Sequence, residues 1–293
     1  MPNANPDHEP AQLDDAPGVA IRIRDIRVIR GGSTALRIDA LDIEPGVTAL
    51  VGPNGSGKST LLHAIAGLLP LATGTVDISG TRGDSSNRVA YVLQTQPAAA
   101  HLLVTTREVV ALGRSADRGP FARLHRTDHD LIDRAMERVS IRELGRRHLA
   151  ELSGGQRQRV FVAQGLAQAA EVLLLDEPVA GLDLTSAQSI RRIIDAERDA
   201  GRTVVVATHD LREAASADRV VLLDKTVIVS GPPQNALTSA NLRRAYGGRV
   251  LDLGDEVVAV DDGVHHGDPD HEHHSGRSGL DEHGRHPERH GDV

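Results

Sequence analysis

From Val19 the chain alternates apolar and charged residues with a period of two, VAIRIRDIRVI, as a strand does when one face is buried and the other wet. ALRIDALDI repeats the habit and stops at Pro45-Gly46, a turn pair. VTALV then runs straight into a glycine-rich loop, and STLLHAIAGLL continues as a helix. Residues 96–150 read as helical. Thr105-x-x-Glu108 has capping-box spacing ahead of VVAL. Thr127-x-x-Asp130 has a related start signal, placing Leu131, Ile132, Ala135, Met136 and Val139 on one helical face. Two uninterrupted apolar runs follow, VLLLD and TVVVATH, separated by an amphipathic helix around Ile190, Ile193 and Ile194 that ends near Gly201. Such runs alternating with helices indicate strands buried on both faces, hence an α/β fold on a parallel sheet. RVVLL and TVIVS add further strands. Residues 1–18, rich in Pro, Asp, Asn and Ala, and residues 261–293, rich in Gly, His and Asp, lose periodicity and read as a disordered leader and tail.

Composition narrows the chemistry. Aromatic residues make up 1% of the 293, so Val, Leu, Ile and Ala must fill the core. The chain has no cysteine, which excludes disulfides, zinc–thiolate sites and thiol catalysis. The net charge of −8 is concentrated at the ends: residues 1–18 carry −4 and residues 261–293 carry −6, leaving about +2 between them. A folded part so close to neutral gives no reason to expect a nucleic-acid partner. No apolar run approaches the ~20 residues of a membrane helix. The start, MPNANPDHEP, has neither the basic residues nor the apolar stretch of a signal peptide. Work at a membrane would therefore need a second chain to provide the span.

Gly52-Pro53-Asn54-Gly55-Ser56-Gly57-Lys58-Ser59, followed by Thr60, satisfies G-x-x-x-x-G-K-[ST] between an expected strand and an expected helix. The glycines let consecutive N–H groups turn inward onto phosphate oxygens. The helix behind them adds the positive end of its dipole. Lys58 offers a flexible point charge to β- and γ-phosphates, and the Ser59 hydroxyl suits Mg²⁺. Downstream, VLLLDEP sets Asp176 and Glu177 at the C-terminal end of a buried strand, the edge where open α/β sheets bind ligands. Asp176 is suited to hold Mg²⁺ through water, and Glu177 to polarise an attacking water.

Between these two motifs lies Leu152-Ser153-Gly154-Gly155-Gln156, ahead of the helix-like RQRVFVAQGLAQ. In this order the motifs resemble the ATP-binding cassette (ABC) ATPases. The resemblance covers about residues 19–247, with a cassette domain over 19–250 and a helical subdomain at about 96–155. It implies a P-loop NTPase fold with a parallel-sheet core, an N-terminal antiparallel β-subdomain and an inserted α-helical subdomain. It further implies ATP and Mg²⁺ as cofactors and a head-to-tail homodimer. In such a dimer Ser153, Gly154, Gly155 and Gln156 of one copy cap the nucleotide held by the other. By the same resemblance Gln94 is the Q-loop residue that touches Mg²⁺ and senses the permease, Asp183 in Ala180-Gly181-Leu182-Asp183 belongs to the D-loop, and His209 is the switch histidine at the γ-phosphate.

Two features depart from the family pattern. Where relatives stack an aromatic on adenine, this chain has Ile29-Arg30-Gly31, and Arg30 offers a planar guanidinium instead. Ala163-Gln164-Gly165-Leu166 replaces the usual Ala-Arg-Ala-Leu, and Gly costs a helix interior about 1 kcal/mol relative to Ala.

A compact single cassette resembles an importer subunit working with an integral-membrane permease at the cytoplasmic face of the membrane, and indirectly with an extracytoplasmic solute-binding protein. VVALGR, GPFARLHRTDHDLIDRAMERVSI and ALTSANLRRAYGG resemble importers of manganese, zinc and iron chelates. Importers of siderophores or other small solutes, and soluble non-transport cassettes, stay open alternatives. Eight of the 15 histidines, among them His265, His266, His271, His273 and His274, lie in the tail beside acids. They suit a transition metal or simply a soluble low-complexity tail.

Overall fold

The computed structural model describes residues 20–79, 88–93, 103–115, 123–247, 250–252 and 258–260. Gln94, the 1–18 leader and the 261–293 tail lie outside the described residues. Contacts divide the chain into residues 1–262 and a second unit, 263–293; all that follows concerns the first.

The alternating N-terminal runs form β1 (Ile21–Arg30) and β2 (Ser33–Ile43), paired antiparallel, with β4 (Thr73–Ile78) on the other side of β1. The apolar runs form the middle of a six-stranded sheet in the order β5-β6-β7-β3-β8-β9. Its strands are β3 (Gly46–Val51), β5 (Val89–Val92), β6 (Val172–Asp176), β7 (Thr203–Ala207), β8 (Arg219–Leu223) and β9 (Val227–Gly231). Continuous apolarity has its expected cause. Leu173, Leu175, Val204 and Val206 enter one core, while Val172, Leu174, Val205 and Ala207 enter another on the opposite face. Each fully buried Leu or Ile contributes on the order of 1.5–3 kcal/mol.

One expectation needs correction. The sheet is parallel from β5 to β8, but β9 runs antiparallel to β8. The connection is a tight turn in which Asp224 N–H donates to Thr226 O at 3.0 Å. So short a link can return a strand only as a hairpin. A further antiparallel pair, β10 (Val250–Asp252) with β11 (Val258–Val260), was not foreseen.

Helices cover both faces. The phosphate-loop helix α1 (Lys58–Ile65) packs with β1 and β2 in the core of Val172 and Val205, while α2 (Thr106–Ser115), α3 (Arg126–Arg138), α4 (Gly154–Ala167) and α5 (Leu184–Asp199) share the core of Leu173 and Val204. Helix α6 (Leu211–Ala215), α7 (Pro233–Ala236) and α8 (Ser239–Tyr246) close a third core against β8. The start of α2 is the capping box its spacing predicts: Glu108 Oε2 accepts from Thr105 N–H at 2.7 Å. The start of α3 is not. Asp128, rather than Asp130, turns back to accept His125 N–H at 2.8 Å. Its other oxygen takes Arg114 Nε at 3.0 Å, so the fully buried carboxylate is paired with a cation, whereas Asp130 is exposed. Arg114 also donates to the carbonyls of Ala167 and Gln168, joining α2, α3 and the end of α4. Of the expected apolar stripe of α3, Ile132, Ala135, Met136 and Val139 are buried, while Leu131 is half-buried.

Gly165 has a packing reason. A Cβ there would sit 2.6 Å from Val92 Cγ2 and 3.4 Å from Leu173 Cδ1. Val92 is β-branched and buried, so it has little freedom to move aside. Gly165→Ala should gain about 1 kcal/mol of helix propensity and lose about 1–3 kcal/mol to overpacking. Urea denaturation should therefore show a variant less stable than wild type; a stabilised Gly165→Ala would contradict this packing.

Candidate nucleotide site

The loop between β3 and α1 wraps around its own lysine. Lys58 is 7% exposed, and its ammonium donates to the carbonyls of Gly52 at 2.6 Å and Pro53 at 3.1 Å. Two positions require glycine. A Cβ on Gly52 would lie 2.2 Å from Leu223 O. Gly57, the N-cap of α1, has φ 100° and would bring a Cβ within 2.9 Å of Leu36. The Ser56 hydroxyl is buried without a hydrogen-bond partner. A glycine-rich loop with a buried cation and an unsatisfied hydroxyl at a helix N-terminus suits a polyphosphate.

The cleft in front of this loop has a volume of about 470 Å³. Arg30, Asn54, Gly55, Ser56, Gly57, Lys58, Ser59, Thr60 and Glu177 all line it. The end of β1 thus carries Arg30 to the same cleft as the phosphate loop. Lys225 lines it too, and nothing in the sequence analysis singled it out. Its N–H donates to Ser56 O at 2.7 Å, and its carbonyl accepts from Arg37 N–H at 2.8 Å. The β8–β9 hairpin therefore braces the loop. Its place beside Ser56 is set by sheet order.

Asp176 and Glu177 end β6. Asp176 is 8% exposed and accepts from the Tyr91 hydroxyl at 3.2 Å. Burial, with the Asp176 charge beside it, pushes the Tyr91 phenol far above its ordinary range, so it stays a donor. Glu177 takes a left-handed φ of 47°, a strained conformation for a residue other than glycine. Backbone bonds from Glu177 N–H to Ala207 O and from Ala180 N–H to Glu177 O hold it there. His209 Nδ1 stands 3.6 Å from Glu177 Oε1, longer than a hydrogen bond, across a second cleft that includes Ala180, Gly181 and Leu182. The turn that carries His209 is pinned from below. Thr208 Oγ1 accepts from Asp210 N–H and donates to Glu213 Oε2 at 2.6 Å. Burial pushes the Glu213 carboxyl above its usual value.

Ser153 is the N-cap of α4, joined reciprocally to Gln156: Ser153 Oγ accepts Gln156 N–H at 3.3 Å, and Gln156 Oε1 accepts Ser153 N–H at 3.0 Å. No residue from 153 to 156 is among those lining the phosphate cleft.

These parts can be compared with known proteins. The ABC transporter family profile matches residues 36–180. Over 218 residues the chain is 36% identical to the manganese transport system ATP-binding protein MntB of Bacillus subtilis, covering 74% of this chain and 87% of that protein. It is 39% identical over 215 residues to the zinc transport system ATP-binding protein TroB of Treponema pallidum, covering 73% and 81%. The chain belongs to the ABC transporter family. Among solved structures, cbiO1 of Clostridium perfringens, part of the ABC transporter complex cbiONQ, superposes with a TM-score of 0.64 at 26% identity, covering 78% of this chain and 94% of that one. The fold is accordingly that of an ABC ATPase, a nucleotide-binding domain.

In this cassette the signature and the D-loop touch. A Cβ on Gly155 would fall 2.3 Å from Ser186 Oγ and 3.1 Å from Asp183 Oδ2. Asp183 caps α5 by accepting Ser186 N–H at 3.0 Å. That bond holds its carboxyl below the usual range. Among the described residues no helix is long and apolar enough to cross a membrane.

Proposed function

We propose that the cassette is the ATP-hydrolysing subunit of an importer for a divalent metal ion, manganese, zinc or iron, and that it works as a head-to-tail homodimer on a separate permease. One observation supports this best: the cleft that gathers Lys58, Ser59 and Glu177 lacks the signature residues of its own chain. A second copy is the natural source of Ser153, Gly154, Gly155 and Gln156. The fit to the cofactors rests on the loop itself, a buried ammonium, an unpaired Ser56 hydroxyl and a backbone that leaves no room for a Cβ at Gly52.

In this reading the loop N–H groups and Lys58 hold the β- and γ-phosphates of ATP. Ser59, Asp176 and Gln94 hold Mg²⁺. The bound ion neutralises charge on the transferring phosphoryl group. Glu177 accepts a proton from the attacking water, His209 contacts the γ-phosphate, Asp183 crosses the dimer interface, and Arg30 covers the adenine. Leu93 and Leu103, either side of the Gln94 stretch in sequence, and Leu112 on α2 are exposed, apolar side chains suited to a permease at the cytoplasmic face of the membrane, with a solute-binding protein on the far side.

The relatives that transport manganese and zinc favour an ion as cargo. With its permease in liposomes, the cassette should support ATP-dependent uptake of radiolabelled manganese or zinc. Uptake of a siderophore, with neither ion carried, would give the cargo to the alternative reading. The tail histidines His265, His266, His271, His273 and His274 supply a metal-binding segment. Zinc titration should show the full chain binding more ions than a chain ending at Asp262; equal binding would discard that role.

A further inference from the structure

The Asp176 carboxylate is tied to two residues that the reading above gives no role. Tyr91, on β5, places its hydroxyl 3.2 Å from Asp176 Oδ2 and 3.1 Å from His63 Nε2, on α1. The two rings meet edge to face, with centroids 5.2 Å apart at 83°. A phenol has one proton to give. Because an ionised carboxylate only accepts, that proton belongs on Asp176, and His63 must then donate through Nε2–H. His63 Nδ1, the other ring nitrogen, is buried without a hydrogen-bond partner. The chain of donors therefore has one direction, from α1 through β5 to the end of β6. With Oδ2 engaged, Oδ1 is the oxygen left for an ion.

We propose that Tyr91 and His63 are positioning residues that fix the Asp176 carboxylate for Mg²⁺, so that metal affinity depends on β5, the strand that runs into Gln94. The inference rests on Asp176 serving the metal. Residues behind a ligating carboxylate set its orientation, and their loss costs about 10–100-fold in metal affinity. A purely structural Tyr91 would leave that affinity alone and change stability.

The test uses the full-length chain with ATPγS and Mn²⁺ in place of Mg²⁺, reading the nucleotide-dependent uptake of Mn²⁺ by electron paramagnetic resonance. Tyr91→Phe keeps the ring and loses the hydroxyl. It should weaken that uptake about tenfold, while ATPγS binding in EDTA and the Tm stay near wild type. His63→Leu should move in the same direction, and His63→Gln, which keeps a donor at the same reach, should restore Mn²⁺ affinity. If Tyr91→Phe or His63→Leu binds Mn²⁺ like wild type while Asp176→Asn does not, the positioning role is wrong. If Asp176→Asn also binds like wild type, the metal role of Asp176 fails instead. Should Tyr91→Phe fold poorly, the His63→Leu and His63→Gln pair decides alone: equal affinities in the two overturn the proposal.

Discussion

Replacing Glu177 with Gln should slow ATP hydrolysis by roughly 10²–10⁴-fold, the scale of a lost general base, while ATP still binds. The change is nearly isosteric, so the left-handed turn at φ 47° and its bonds to Ala207 and Ala180 are kept. What disappears is the negative oxygen that faces the phosphate cleft. With binding intact and hydrolysis stalled, the variant should accumulate as an ATP-bound dimer. The chain offers a clean way to see it, because it has no cysteine of its own. Ser56 is 1% exposed and unsuited to a cross-link, whereas Asn54 in the same loop is exposed, as is Ser153. In the Glu177→Gln background, Asn54→Cys with Ser153→Cys should give a disulfide-linked dimer when Mg²⁺ and ATP are saturating, and much less without nucleotide. Single-turnover hydrolysis at the wild-type rate in Glu177→Gln would remove the base. A cross-link that never forms would remove the head-to-tail arrangement.

What could be read from the sequence follows the range of each interaction. The phosphate loop is local: a strand, a turn that admits no Cβ and the lysine that opens the helix are all written between Gly46 and Lys58. The buried strands were legible because both their faces are apolar, and the capping box at Thr105 because its partners are three residues apart. Misreadings arose where two nearby signals competed or where distance intervened. Asp128 wins over Asp130 because Arg114, on another helix, supplies a buried cation. The antiparallel β9 and the brace from Lys225 to Ser56 follow from strand order. So does the meeting of His63, Tyr91 and Asp176, which come from α1, β5 and β6. Gly165 read as a weak point in a helix; across the chain it is the space that Val92 fills.

Lys58→Ala should abolish tight nucleotide binding, with an affinity loss on the order of 10²–10³-fold. Each charge-assisted hydrogen bond contributes about 1.5–3 kcal/mol, and losing the pair that an ammonium makes to β- and γ-phosphates removes at least about 3 kcal/mol of binding, a factor of 10² or more at ~1.4 kcal/mol per tenfold. The free protein feels the change as well. Gly52 O and Pro53 O now accept from Lys58 at 2.6 and 3.1 Å, and without it two loop carbonyls lose their donor, at about 1–3 kcal/mol for a group left buried and unsatisfied. The two effects separate by measurement: calorimetric titration with ATPγS reads binding, and thermal unfolding without nucleotide reads the loop. Lys58→Arg sharpens the distinction. It keeps the charge, but a planar guanidinium cannot take the place of a compact ammonium inside a closed loop. It should therefore bind ATPγS no better than Lys58→Ala. ATPγS affinity within about twofold of wild type in Lys58→Ala, well inside the 1.4 kcal/mol that a tenfold change represents, would mean that the phosphates are held elsewhere.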